Sequence, residues 1–164
     1  MPLLELPHTP NCLVCGRSNP RGLQLALHVD EATGVVTTRL IPTTAHVGFE
    51  GIIHGGLIAT VLDEAMVWAA TWHAKRFCLA GELTVRFRES ASAGQELLVT
   101  ATVELARSKL IATTAQVRRA SDDTLIATAT GKYIPLSEDR HRAFIATFVP
   151  DPATTQSAAA LRAP

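Results

Sequence analysis

Neither charge is in excess in this chain: 15 Lys and Arg balance 15 Asp and Glu over 164 residues, and no basic run appears. The electrostatic footprint of a protein that binds DNA, RNA or an anionic membrane is therefore missing. Cysteine is scarce and odd in number, with only Cys12, Cys15 and Cys78, which argues against a disulfide framework. The first residues have neither the basic region nor the long apolar region of a signal peptide. The most apolar stretch, residues 55–72, is interrupted by Asp63 and Glu64 and makes a poor membrane span. The expected compartment is the cytoplasm. What remains, 47% hydrophobic and 18% charged, is the composition of one globular domain.

Residues 1–21 hold several prolines and the Cys12-x-x-Cys15 pair and form an irregular lead-in. From Gly22 the pattern changes. Leu23, Leu25, Leu27 and Val29 alternate with Gln24, Ala26, His28 and Asp30, as in a half-buried strand. A turn at residues 31–34 leads to a second strand over residues 35–41, and Pro42 ends the hairpin. One long helix is expected over about residues 56–75. Leu57, Val61, Ala65, Trp68 and Trp72 make an apolar stripe, with Ile58, Leu62, Met66 and Ala69 beside it. A face that wide must be surrounded on most sides.

Four more strands, at residues 79–89, 96–106, 109–119 and 124–135, are rich in Val, Thr, Leu and Ile and separated by short turns, as in an antiparallel meander. The expected fold is α+β, with an antiparallel sheet wrapped around one long central helix, and the folded domain spans residues 22–136. Residues 137–164, a short helix and then a Pro/Ala/Thr tail, are expected to form a mobile C-terminal extension.

His54-Gly55-Gly56 stands where the long helix begins. The first turn of a helix has unpaired N–H groups and the positive end of the dipole, and glycines leave those groups open to a carbonyl oxygen or an anion. That is one way to build an oxyanion site from backbone alone. The competing explanation is a tight loop-to-helix turn. Asp63, nine residues after His54, sits among Ala59, Thr60, Val67 and Ala70. It is a solvated residue, a structural ion-pair member, or a general base or nucleophile. Glu64 is expected to be a helix-surface or ion-pair residue, with catalysis the lesser alternative.

The run from Gly51 to Asp63, Gly-Ile-Ile-His-Gly-Gly-Leu-Ile-Ala-Thr-Val-Leu-Asp, resembles the signature of the hotdog-fold acyl-CoA thioesterases, in the phenylacetic-acid-pathway and human-thioesterase-like branch. Cys12-x-x-Cys15-Gly16-x-x-Asn19-Pro20-x-Gly22-Leu23, the strand Leu83-Thr84-Val85-Arg86-Phe87, and Ala127-x-Ala129-x-Gly131 extend the likeness over residues 12–134. The resemblance implies the hotdog fold and hydrolysis of an acyl- or aryl-CoA thioester to the free acid and CoA, with no cofactor. It implies a homodimer or homotetramer whose active sites lie between subunits. The Gly55 or Gly56 N–H would polarise the thioester carbonyl, Asp63 from the opposing subunit would attack it or activate water, and His54 would shape the turn. Arg86 and Arg88, on one face of a strand, are candidates for the phosphates of CoA, with sheet-surface charges the commoner explanation, and Thr60 and Val67 are candidates for substrate contacts beside Asp63. The chain departs from relatives that carry Asn or Gln where it has Gly48, Ser or Thr where it has Val67, and a proline where it has the run Glu89-Ser90-Ala91. His46 lies near enough to compensate for the missing amide, although a loop histidine without a role is the plainer expectation.

Other residues have simpler readings. A zinc site at Cys12 and Cys15, with His8 added, lacks a second CxxC or HxxxH, so no metal is expected. Cys78 is expected in the core, and Trp68, Trp72 and Phe77 are core residues or line an acyl pocket. The alternatives to a hydrolase are a non-catalytic acyl-CoA-binding hotdog protein and a hotdog enoyl-thioester hydratase or dehydratase. A purely structural protein with a zinc-stapled N-terminus comes last.

Overall fold

The structure, a computed structural model, describes residues 3–162. Its elements in chain order are β1 (Leu3–Glu5), β2 (Leu27–Asp30), β3 (Val36–Leu40), α1 (Gly55–Ala74), β4 (Cys78–Phe87), β5 (Leu97–Arg107), β6 (Leu110–Arg119), β7 (Leu125–Pro135), α2 (Glu138–Ile145) and α3 (Thr155–Arg162). The strands form one antiparallel sheet in the order β1-β2-β3-β5-β6-β7-β4. The sheet wraps α1, which packs against β3 to β7. This is the hotdog fold.

Alternation along each strand sets what faces the helix. Leu97, Val99, Ile111, Val117 and Tyr133 point inward and are buried, while Thr100, Thr114 and Thr128 point outward. Ala101, Ala115 and Ala129 stand in one row across β5, β6 and β7. Small side chains in that row let α1 lie close to the sheet. The helix ends at Lys75, whose left-handed backbone (φ 51°) closes the last turn. Among the described residues no helix is long and apolar enough to cross a membrane.

The structure corrects three expectations. Leu23 and Leu25 are outside β2, because Gln24 takes a left-handed backbone (φ 52°) that breaks the strand. Their N–H groups instead bind the carbonyls of Leu13 and Val14, both at 2.8 Å, and so hold the cysteine turn. The lead-in is not wholly irregular, since β1 pairs with β2 at the sheet edge.

The extension at residues 137–164 is packed rather than loose over its described part. Leu161 is fully buried, and His141 accepts the Phe77 N–H at Nδ1 (3.1 Å) while its Nε2 donates to the Leu161 carbonyl (3.0 Å). Arg17 bridges Glu5 and Asp151, so both ends of the chain lock onto each other. Residues 1, 2, 163 and 164 of the two terminal segments lie outside the described residues.

Candidate active site

The turn into α1 is fixed from both sides. The Ile53 N–H binds the Ala91 carbonyl and the His54 N–H binds the His46 carbonyl, each at 2.9 Å. His46 is itself structural here: its ring accepts the Thr43 N–H at 3.0 Å and caps the short turn Thr44–His46. His54 is the N-cap of α1, and its Nδ1 accepts the Gly56 N–H at 2.9 Å. That bond occupies the Gly56 donor. The Gly55 N–H finds no acceptor among the described residues and remains available at the positive end of the helix.

At both glycines a side chain would crowd a neighbouring ring. A Cβ on Gly56 would stand 2.9 Å from His54 Nδ1, and one on Gly55 would stand 3.1 Å from the Phe87 ring. Gly48 is similar, since a side chain there would press on the His54 ring at 3.2 Å.

Gly56, Thr60, Asp63 and Val67 recur at helical spacing and form the stripe of α1 that the sheet leaves open, none of them fully buried. Thr60 satisfies its hydroxyl within the helix by donating to the Gly56 carbonyl at 2.8 Å. Asp63 is half-buried, and its Oδ1 accepts the Tyr133 hydroxyl at 2.7 Å. Tyr133 is 0% exposed. Burial, reinforced by the Asp63 charge, pushes its phenol well above the usual range, so it serves as a donor. Tyr133 is not among the site residues expected from the sequence. The available signal was its being the one tyrosine of the chain, two residues beyond Gly131 on the same strand face. Gly131 makes room for it, since a Cβ there would lie 2.6 Å from the tyrosine ring.

Beside the open stripe runs the inner face of edge strand β4, where Leu83 and Phe87 are 37% and 55% exposed. Arg86 pairs with Thr128 on the opposite, outer face, and Arg88 lies just past the strand. Neither arginine meets Asp63 within the protomer. Trp68 and Trp72 are buried, and Trp68 packs on Phe77 and Phe148 with ring centroids 5.6 and 6.4 Å apart. These are core contacts under the C-terminal extension. Cys78 is also in the core, and burial pushes its thiol up to about 11.

Glu64 makes no ion pair among the described residues. It turns toward the N-terminal turn, where its Oε1 accepts the Trp68 indole N–H at 3.0 Å and lies 3.7 Å from Cys12 Sγ. Burial raises its carboxyl to about 7. The Cys15 thiol and the N–H groups of Cys15 and Val14 hold Cys12 well below the usual thiol range, while Cys15 is pushed up by Cys12 and by burial. His8 is elsewhere, with its Nε2 3.4 Å from Asp151.

Residues 50–126 match the family model described as the thioesterase superfamily. That segment, which carries the turn into α1 and Asp63, is similar to the thioesterase superfamily. Solved structures similar to this chain include zebra fish thioesterase superfamily member 2, with a TM-score of 0.63, 20% identity, and coverage of 68% of this chain and 81% of that one. The E. coli PaaI protein from the phenylacetic acid degradation operon has a TM-score of 0.64, 19% identity, and coverage of 70% and 81%. The smu.793 protein of Streptococcus mutans, bound to acetyl CoA, has a TM-score of 0.60, 16% identity, and coverage of 64% and 83%. No curated protein matches the chain.

Proposed function

We propose that this protein is a homo-oligomeric acyl-CoA thioesterase that hydrolyses an acyl- or aryl-CoA thioester to the free acid and CoA. The observation that carries the reading is the presence on one helix of an unengaged Gly55 N–H at the head of α1 and a tyrosine-held Asp63 carboxylate on its open stripe. The two are eight residues apart, which is about 12 Å along the helix. One Asp63 therefore cannot attack an acyl carbon held at its own Gly55, and a second copy has to supply the carboxylate. The exposed inner face of β4 supports such a partner, and the acetyl-CoA-bound neighbour supports the ligand class.

In this scheme the Gly55 N–H and the helix dipole stabilise the charge developing on the thioester oxygen. His54 holds the turn through its bond to Gly56. The partner's Asp63 either attacks the acyl carbon or takes a proton from the attacking water. The new carbon–oxygen bond replaces the carbon–sulfur bond, and the CoA thiolate leaves and takes up a proton; where Asp63 is the nucleophile, water then cleaves the acyl–aspartate anhydride to release the free acid and restore the carboxylate. Thr60 and Val67 border the acyl group, and Arg86 and Arg88 meet the phosphates of CoA at the sheet edge. Residues 22–136 form the catalytic domain, with residues 1–21 and 137–164 as flanking segments.

Release of free CoA from a panel of acyl- and aryl-CoA esters, followed with a thiol reagent, tests the proposal. Turnover by the wild type and a loss of about 10²–10⁴-fold in Asp63→Ala are expected. Full activity in Asp63→Ala removes the mechanism, and tight CoA binding without turnover replaces the enzyme with the binding protein.

A further inference from the structure

We propose that Cys12, Cys15 and Glu64 form a binding site for one divalent cation of the zinc type, which staples the N-terminal turn to α1. The inference is independent of the thioesterase reading. The three donor atoms, two sulfurs and a carboxylate oxygen, lie within 4.8 Å of one another. Closing that spacing by about 1 Å through side-chain rotation brings all three donors onto a single ion with bonds of about 2.0–2.3 Å.

The turn is built to present its sulfurs. The N–H groups of Val14 and Cys15 both point at Cys12 Sγ from 3.4 Å, donors that favour a thiolate. The Gly16 N–H closes the turn on the Cys12 carbonyl at 3.2 Å. Only glycine fits at that position, because a Cβ would stand 2.5 Å from the same carbonyl oxygen. The Leu23 and Leu25 N–H groups clamp the turn from the other side.

Glu64 comes from the central helix and sits against these sulfurs with no cationic side chain among the described residues to balance it. A carboxylate removed from water next to a thiolate is stable only when protonated or when a cation joins them. The Trp68 N–H fixes the carboxylate as an outer-shell donor fixes a metal ligand. Two thiolates select a borderline-soft ion over Mg²⁺ or Ca²⁺, and a water completes the tetrahedron. Binding releases the thiol protons to solvent and forms two metal–sulfur bonds and one metal–oxygen bond, with no change of oxidation state.

The test is titration of the full-length, chelator-stripped, reduced protein with Zn²⁺ and with Co²⁺ as spectroscopic probe. One equivalent of Zn²⁺ per chain is expected, with a thiolate-to-cobalt charge-transfer band and tetrahedral cobalt spectrum. Glu64→Gln keeps the band but weakens binding, and Trp68→Phe weakens zinc binding by about 10–100-fold. Cys12→Ser abolishes the band. A wild-type protein that gives no charge-transfer band, or that retains no more zinc than the Cys12→Ser protein, overturns the proposal. So does a Cys12–Cys15 disulfide that forms in air with a full equivalent of Zn²⁺ present, which assigns the pair to redox chemistry. None of these readouts depends on thioester hydrolysis, so failure here leaves the proposed activity standing.

Discussion

A carboxylate on the open side of a buried helix needs something to aim it, and here that is one hydroxyl. Tyr133 donates to Asp63 from β7, across 70 positions of sequence, and is itself anchored by complete burial over Gly131. A phenylalanine fills the same space without the donor. In Tyr133→Phe the thioesterase kcat is expected to fall about 10–150-fold while KM and the melting temperature change little, in keeping with about 1.5–3 kcal/mol for a hydrogen bond to a charged group. Steady-state kinetics with a thermal melt separates this positioning effect from plain destabilisation, which would leave kcat alone. His54, Gly55, Gly56 and Asp63 were legible in the sequence because their relation is local, a cap, a turn and a helical offset. Tyr133 and the Cys12–Glu64 contact were not, because each joins residues far apart in the chain, and no periodicity encodes such a pairing. Glu64 shows the same limit: its helical position suggested a surface role, and only the N-terminal turn folded over it makes it half-buried.

At the scale of elements, the strands of the meander and α1 were legible to within a residue or two, since periods of 2 and 3.6 survive wherever one face is buried. The terminal segments carry no such pattern. Their order comes from single tertiary contacts: His141 between Phe77 and Leu161, Ser157 on the Glu5 carbonyl, and Arg17 between Glu5 and Asp151. If α3 is part of the core, Leu161→Ala should lower the unfolding free energy by about 2–5 kcal/mol in a denaturant titration, whereas a loose tail would show none of that loss. Acid gives a second measure. The Ala153 N–H, then His8 and Arg17, hold Asp151 below the usual carboxylate range. A folded value below the unfolded one means that this contribution is complete above the unfolded value of 3.8 and fades as pH falls through the folded value. Amide protons of residues 152–162 are therefore expected to lose exchange protection below about pH 4, before the central strands do.

The whole molecule has one sheet edge capped by the three-residue β1 and another formed by the ten-residue β4. A long edge with unpaired backbone groups and exposed Leu79, Leu83 and Phe87 is a site for pairing with another chain. It runs beside the Asp63 stripe, and the proposed mechanism needs a second copy because about 12 Å of helix separates Gly55 from Asp63. Assembly and catalysis are therefore expected to fail together. Leu83→Glu places a charge on the inner face of β4 without entering the protomer core. It is expected to shift the sedimentation coefficient from oligomer to monomer and to remove thioesterase turnover, while circular dichroism and the melt of the protomer stay near those of the wild type. A Leu83→Glu monomer that keeps full turnover would mean that a single protomer holds a complete site, and the carboxylate acting at Gly55 would have to be sought within the same chain.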